Sequence, residues 1–196
     1  MTTPSAVSID KSKTAFLLFD FMQGILTRLP IAEALVSSEQ TALIAARAAQ
    51  IQVVHVRVAF TDADYAAVPA TNKSFSYQAK IKGATEGSDA VKIVDALAPI
   101  DGELVVVKKR TGPFSTTNLH EQLQAKGINT LIVTGIATSG AILSTVREAA
   151  DKDYGLIVVK DLVADVDAEV HRVLVEKVFP KQADVIDLAT FLTLVQ

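Results

Sequence analysis

The sequence predicts an α/β fold, a three-layer sandwich in which helices flank a parallel six-stranded sheet. Three observations lead to this prediction: short apolar runs alternate with helical patterns, the runs are rich in Val, Ile and Leu, and they lack polar alternation. Strands buried on both faces have this composition, and the strand–helix–strand order produces a parallel sheet. The six predicted strands are residues 14–21, 51–58, 104–108, 130–134, 155–160 and 183–187.

Helix signals lie between these runs. The first predicted helix begins at Pro30. Four more are predicted over residues 88–97, 117–126, 139–152 and 167–178. Proline suits the first turn of a helix, Gly127 is a good stop signal, and Asp167 is a good N-cap. Residues 59–82 are polar and mixed and have no clear period. A segment of that length in a compact domain is usually functional, as a lid or a pocket wall.

Composition narrows the class of protein. The chain has 196 residues, 49% of them hydrophobic, a formal net charge of −3 and no cysteine. The length predicts one domain over residues 1–196. The lack of cysteine excludes a disulfide framework, a cysteine-ligated metal and a cysteine nucleophile. Weak acidity without Lys/Arg clusters argues against nucleic-acid binding, and no apolar run approaches 18 residues. We therefore expect a soluble, cytoplasmic protein that does not bind membranes.

Polar residues at the strand ends are the first candidates for chemistry, because open parallel sheets bind ligands outside the carboxyl ends of their strands. Asp20 interrupts an apolar run, where a carboxylate is costly unless it is paired or functional. Lys108 ends the third strand and would reach the same rim. Each has a structural alternative: Asp20 as a cap or hydrogen-bond acceptor, and Lys108 as a solvated strand end, since Lys109 and Arg110 follow it.

The turn after the fourth strand contains small residues from Gly135 to Ala141. Its backbone amides could approach an anion closely at the start of a helix, although such tight turns are common in this fold class. The three histidines have no metal-ligand spacing, and nucleotide-binding glycine motifs are absent. We expect no metal and no cofactor.

Four segments together resemble the isochorismatase-like hydrolases, a family that includes nicotinamidases and carbamoyl amidases. They read LLFDFMQ, VVVKKRTGPFSTTNL, TGIATSGAILSTVREAADKDYGLIVVKDLVAD and VEKVFPKQADVI. The resemblance covers nearly the whole chain, and the third segment is the most specific. It implies a Rossmann-like six-stranded parallel sheet and assembly as a homodimer or homotetramer.

The family's catalytic triad is Asp, Lys and Cys. By resemblance, Asp20 corresponds to the acid/base and Lys108 to the lysine, while the nucleophilic cysteine falls on Ala141. The resemblance also implies a non-proline cis peptide at Ile136–Ala137, which would aim the amides of Ala137 and Ala141 into the site.

This chain departs from the family pattern at the nucleophile. The methyl group of Ala141 cannot attack a carbonyl, so covalent amide hydrolysis through a thiol is not available. Metal-binding nicotinamidases carry a D-x-H pair and a further His after the second strand. The matching segment here, FTDADYAAVPATNKSF, contains no histidine, and we therefore expect no zinc.

Three interpretations follow. In the first, the protein is a thiol-free hydrolase in which Asp20 protonates a vinyl ether or a similar group as general acid. Alternatively, it is a non-catalytic relative that binds a small molecule or a partner. In the third, alanine has replaced the cysteine of an ordinary cysteine hydrolase. We favour the first, with a small-molecule substrate. The candidate pocket walls are Phe21, Gln23, Phe60, Tyr65, Asn72, Phe75, Phe114, Ile136 and Ala137, each with core packing as its alternative.

Overall fold

A computed structural model of the protein describes residues 7–196. The strands are β1 (Thr14–Phe19), β2 (Gln52–Val58), β3 (Leu104–Lys108), β4 (Thr130–Ile136), β5 (Gly155–Ala164) and β6 (Asp184–Ile186). They form one parallel sheet in the order β3-β2-β1-β4-β5-β6. The predicted six-stranded parallel sheet is confirmed. β1 and β4 are its two central strands and pair with each other.

Helices cover both faces of this sheet. They are α1 (Gln23–Leu26), α2 (Ala32–Ala48), α3 (Asp62–Ala66), α4 (Lys73–Ile81), α5 (Leu119–Ala125), α6 (Leu143–Ala150), α7 (Ala168–Val173) and α8 (Leu188–Leu194). A π-helical turn, Thr138–Ile142, leads into α6, and a second, Leu174–Val178, extends α7. Across residues 7–196, no helix combines the length and the apolar character needed to span a membrane.

Alternate side chains of β1 belong to two separate hydrophobic cores. Phe16 packs with α2 and α8, and its ring lies 5.3 Å from that of Phe191. Leu17 and Phe19 point to the other core, with α5 and α6. All six residues of β1 are buried. This double burial explains why the strands show no polar alternation in the sequence.

Glu39 belongs to α2 and is completely buried. Its Oε1 lies 2.7 Å from Thr134 Oγ1, and its Oε2 has no hydrogen-bond partner among the described residues. Burial raises the pKa of the Glu39 carboxyl to about 8, because the charged form loses its hydration and the hydroxyl of Thr134 compensates only part of that loss.

Gly135 brings β4 unusually close to the end of β1. It has a φ of 115°, and a Cβ at this position would lie 2.2 Å from the carbonyl oxygen of Phe19. Only glycine fits such a contact at such a φ angle. The next peptide bond but one, Ile136–Ala137, is cis, as the family resemblance implied.

Two segments differ from the sequence prediction. Residues 88–97 form two single 3₁₀ turns, Asp89–Val91 and Asp95–Leu97, instead of a helix. The reason is that the backbone of this segment bonds to another part of the chain: Lys92 O accepts from Gln23 N, and Val94 N donates to Phe21 O. Residues 59–82, expected to be irregular, contain α3 and α4.

Candidate functional site

A cavity of about 270 Å³ opens at the carboxyl ends of β1, β2 and β3. Its lining residues are Asp20, Met22, Gly24, Ile25, Arg28, Val58, Phe60, Ser74, Phe75, Gln78, Gly83, Ala84, Ala90, Val91, Lys108, Thr111 and Ala141. Most of these side chains are apolar, and the few polar groups include a buried ion pair. Such a cavity can enclose a small organic molecule and direct a few polar groups at it.

Asp20 and Lys108 form the ion pair. Lys108 Nζ lies 2.8 Å from Asp20 Oδ2, and the two side chains are only 4% and 6% exposed, respectively. Asp20 follows β1 directly with a φ of 58°, a left-handed conformation that Asp tolerates better than most residues. Its amide donates to the carbonyl of Val56 on β2. These contacts fix the carboxyl at the rim where β1 and β3 end.

The second oxygen of this carboxyl, Asp20 Oδ1, has no hydrogen-bond partner within residues 7–196. Burial raises the pKa of Asp20 above its ordinary value, and the ammonium of Lys108 opposes that rise without cancelling it. A raised pKa makes this carboxyl a better proton carrier than an ordinary aspartate.

Ala141 lines the same cavity and is 3% exposed. It belongs to the π-helical turn that begins after the cis peptide, and this turn is anchored at both ends. Ser139 N donates to Asp165 Oδ2, and Ala137 O accepts from Gly140 N and Ile142 N. The structure thus brings Asp20, Lys108 and Ala141 together, with a methyl group at the third position.

Aromatic side chains form one wall. Phe60 stacks on Tyr65, whose ring centre is 4.9 Å away, and Phe75 lies 5.9 Å from Phe60. Asn72 caps the start of α4, because its Oδ1 accepts a hydrogen bond from Phe75 N. This bond holds the backbone of Phe75 in place. On the far side of Phe75, the guanidinium of Arg110 lies 5.4 Å from the ring centre. The wall is therefore built from the segment over residues 59–82.

The Isochorismatase domain family matches residues 14–190 of this sequence. The chain belongs to the isochorismatase family. A maleamate amidohydrolase of Pseudomonas putida is 29% identical over 180 residues, covering 89% of this chain and 83% of that protein. A ureidoacrylate amidohydrolase of Methylorubrum extorquens is 32% identical over 180 residues, covering 81% and 72%.

The solved structures agree on the fold. A cysteine hydrolase from Pseudomonas syringae superposes with a TM-score of 0.86 at 23% identity, over 100% of this chain and 98% of that one. At that identity the likeness concerns the fold alone. The family is one of hydrolases, so the cavity is the natural place to look for a reaction centre.

Some predicted pocket residues lie outside the cavity. Phe21 and Ile136 are buried in the core beneath α2, with Ala137 packed against it. Phe114 is buried in the opposite core, where it stacks on Tyr154. These residues follow strand ends in the sequence, but their side chains point to the packed faces of the sheet.

Three others have different positions again. Gln23 is exposed at the start of α1, and Asn72 lines a neighbouring, more open cavity. Tyr65 lies behind Phe60, where its hydroxyl accepts from Ala84 N. Of the nine predicted walls, Phe60 and Phe75 line the main cavity.

Sequence reasoning missed several cavity residues. Arg28 lies two residues beyond α1, and Ser74 and Gln78 come from α4. Ala90 and Val91 come from a segment predicted to be a regular helix. The only available signal was position, since Arg28 follows the end of β1 by a short distance. Among residues 7–196, no group of three or more His, Asp or Glu side chains is arranged to hold a metal ion.

Proposed function

We propose that this protein hydrolyses a small organic molecule without a covalent enzyme intermediate, using Asp20 as general acid/base. The observation that carries the proposal is the buried Asp20–Lys108 pair, which lies in a cavity shared with the methyl group of Ala141. Asp20 and Lys108, which correspond by resemblance to the family's acid and lysine, are in contact, and Ala141 stands at the position of the nucleophile. The chemistry must therefore proceed with water as the only nucleophile.

Among the described residues, Ala141 itself stands at the position of the cysteine. The hydroxyl residues that line the cavity, Ser74 and Thr111, come from other segments of the chain. The histidines have other partners: His55 contacts Glu103, His120 contacts Tyr154, and His171 contacts Thr138. None of them lines the cavity.

Hydrolysis of a vinyl ether fits this set of groups. Asp20 would donate its proton to the enol-ether carbon, which leaves an oxocarbenium ion and a carboxylate. The ammonium of Lys108, 2.8 Å from Asp20 Oδ2, would stabilise that carboxylate. Water then adds to the cation, its proton returns to Asp20, and the carbon–oxygen bond breaks to give a carbonyl compound and an alcohol.

A second candidate is hydrolysis of an amide or ureido group. It is favoured by the names of the two relatives, a maleamate and a ureidoacrylate amidohydrolase. In this chain, Asp20 would act as general base towards water, and the attack would be direct. Both candidates use the same carboxyl and differ in the direction of the first proton transfer.

A turnover screen tests the proposal. The wild type, Asp20→Asn and Ala141→Cys would be assayed with isochorismate, maleamate, ureidoacrylate and simple primary amides. We expect turnover by the wild type and a loss of at least about 100-fold in Asp20→Asn, because general acid–base catalysis contributes 10²–10⁴-fold. Asparagine keeps the shape of the side chain and tolerates the left-handed backbone at this position.

The other outcomes contradict the proposal in distinguishable ways. Turnover that appears only in Ala141→Cys would identify the chain as a cysteine hydrolase whose nucleophile has been replaced. Binding without turnover in every variant would identify a non-catalytic relative. Wild-type turnover that survives in Asp20→Asn would move the chemistry to another residue.

A further inference from the structure

The charges that line the main cavity do not balance. The charged lining residues are Asp20, Lys108 and Arg28. Asp20 and Lys108 neutralise each other at 2.8 Å, which leaves the guanidinium of Arg28. Within the part of the chain that the structure describes, no carboxylate lies within ion-pair distance of Arg28, and no hydrogen bond engages its guanidinium. Whether Asp20 is ionised or protonated, the cavity therefore carries at least one uncompensated positive charge.

The backbone of Arg28 is held firmly although its side chain is exposed. Leu26 and Leu29 on either side are buried, and Arg28 N donates to Ile25 O at 3.1 Å. Gly24 packs against Ala90 so tightly that a Cβ there would lie 2.9 Å from the Ala90 carbonyl oxygen. A well-packed segment thus holds Arg28 at the cavity, and its guanidinium has no ion-pair or hydrogen-bond partner among the described residues.

Arg110 provides an instructive contrast. It lines the neighbouring open cavity and not the main one. Its guanidinium lies against the ring of Phe75, and its Nη1 donates to the carbonyl of Lys109 at 2.6 Å. Arg110 is therefore already engaged in packing the wall, whereas Arg28 keeps its hydrogen-bond donors available.

We propose that Arg28 is a specificity-determining residue that binds a carboxylate group of the substrate. This inference rests on the proposed function and names the substrate class: a small anion whose apolar or unsaturated body lies against Phe60 and Phe75, with its reactive group towards Asp20. Arginine pairs with a carboxylate through two parallel N–H···O bonds, which fix orientation as well as supplying attraction. Lysine at position 28 would supply a positive charge but could not form the two parallel hydrogen bonds.

Binding measurements test this inference without requiring turnover. The probes are pairs that share one skeleton, maleamate with maleamide and benzoate with benzamide, titrated by calorimetry into the wild type, Arg28→Gln and Arg28→Lys. We expect the wild type to prefer the carboxylate of each pair. Arg28→Gln should weaken carboxylate binding by about 10- to 100-fold, as loss of a hydrogen bond to a charged group implies, and leave the amides unchanged. Arg28→Lys should recover part of the preference.

Two control variants separate a specific contact from a general loss of charge. Arg172→Gln removes one positive charge from α7, where the guanidinium is paired with Glu169 and Glu176, and should change nothing. Arg110→Gln removes the guanidinium that packs on Phe75, so it should change the binding of acid and amide alike and leave the preference between them in place. Equal binding of the acids and amides by the wild type, no binding of the acids, or loss of the preference in Arg110→Gln alone would overturn the inference.

The outcome is independent of the catalytic test. A protein in which Arg28→Gln loses the preference but Asp20→Asn keeps its turnover would retain the anion site and lose the proposed chemistry. The reverse pair of results would remove the anion site and leave the chemistry.

Discussion

Asp20 and Glu39 both carry buried carboxyl groups, but the first has a charged neighbour and the second a neutral one. Each has one oxygen without a hydrogen-bond partner among the described residues. Asp20 faces a cavity and contacts an ammonium at 2.8 Å. Glu39 is completely buried on α2, and its one hydrogen-bond partner among the described residues is the hydroxyl of Thr134. Burial raises the pKa of both carboxyls. The difference between them is that one has a charged partner and access to a ligand.

The hydrogen bonds around Glu39 are compatible with a neutral carboxyl. Thr134 Oγ1 lies 3.0 Å from the carbonyl oxygen of Leu17 and 2.7 Å from Glu39 Oε1. A hydroxyl has one proton, and a carbonyl oxygen can only accept. If Thr134 donates to Leu17, Glu39 must itself be protonated and donate to Thr134. This agrees with a carboxyl whose pKa is about 8, so Glu39 serves as a neutral polar group in the core.

The largest expected effect comes from removing the charged partner of Asp20. Lys108→Met should lower the free energy of unfolding by about 3–5 kcal/mol, because it leaves a buried carboxyl without a counter-ion. Urea unfolding at pH 7 measures the loss. The double variant Asp20→Asn, Lys108→Met should recover most of it, since neither charge then remains. A single variant as stable as the wild type would remove the electrostatic contrast between the two carboxyls.

The next effect is a change in pH dependence. Below about pH 4.5 Glu39 is protonated in both states, and between there and about pH 8 only the unfolded chain releases the proton. The wild type should therefore lose about 1.4 kcal/mol of stability per pH unit over this range, relative to Glu39→Gln. Unfolding free energies of both proteins from pH 5 to 8 provide the measurement. A constant difference between them would mean that Glu39 is ionised in the folded protein.

A smaller effect should follow from removing the hydroxyl that Glu39 contacts. Thr134→Val conserves the shape of the side chain and should cost about 1–3 kcal/mol, because it leaves a buried carboxyl without a partner. In a Glu39→Leu background the same substitution should cost much less, since the carboxyl is gone. Equal costs in the two backgrounds, measured by urea unfolding, would show that the two side chains are not coupled.

Much of this architecture could be predicted from the sequence. The central strands β1 and β4 are buried on both faces, so their composition alone marks them. The edge strand β3 is less buried, yet it begins and ends at the predicted residues. Asp20 was found because a carboxylate inside an apolar run demands an explanation. The pairing of Asp20 with Lys108 followed from the rule that parallel strands bring their carboxyl ends to one edge.

Other features depend on contacts that no local pattern contains. Residues 88–97 have helical composition, yet their backbone groups bond to Gln23 and Phe21, which lie about 70 residues earlier. Phe114 follows a strand end, but its side chain points into a core because sequence adjacency does not determine which face a residue takes. Arg28 carries no pattern at all, since an exposed arginine becomes informative only when a cavity is seen beside it.

Gly135 does not line the cavity, yet it fixes how closely β4 approaches the end of β1. It abuts Phe19, the residue that immediately precedes Asp20, and its own strand continues towards the turn that holds Ala141. The spacing of β1 and β4, just before Asp20 on one strand and the turn of Ala141 on the other, therefore depends on the absence of one methyl group on β4. Any redesign of this region should keep the glycine, because a side chain at position 135 would push β4 away from β1.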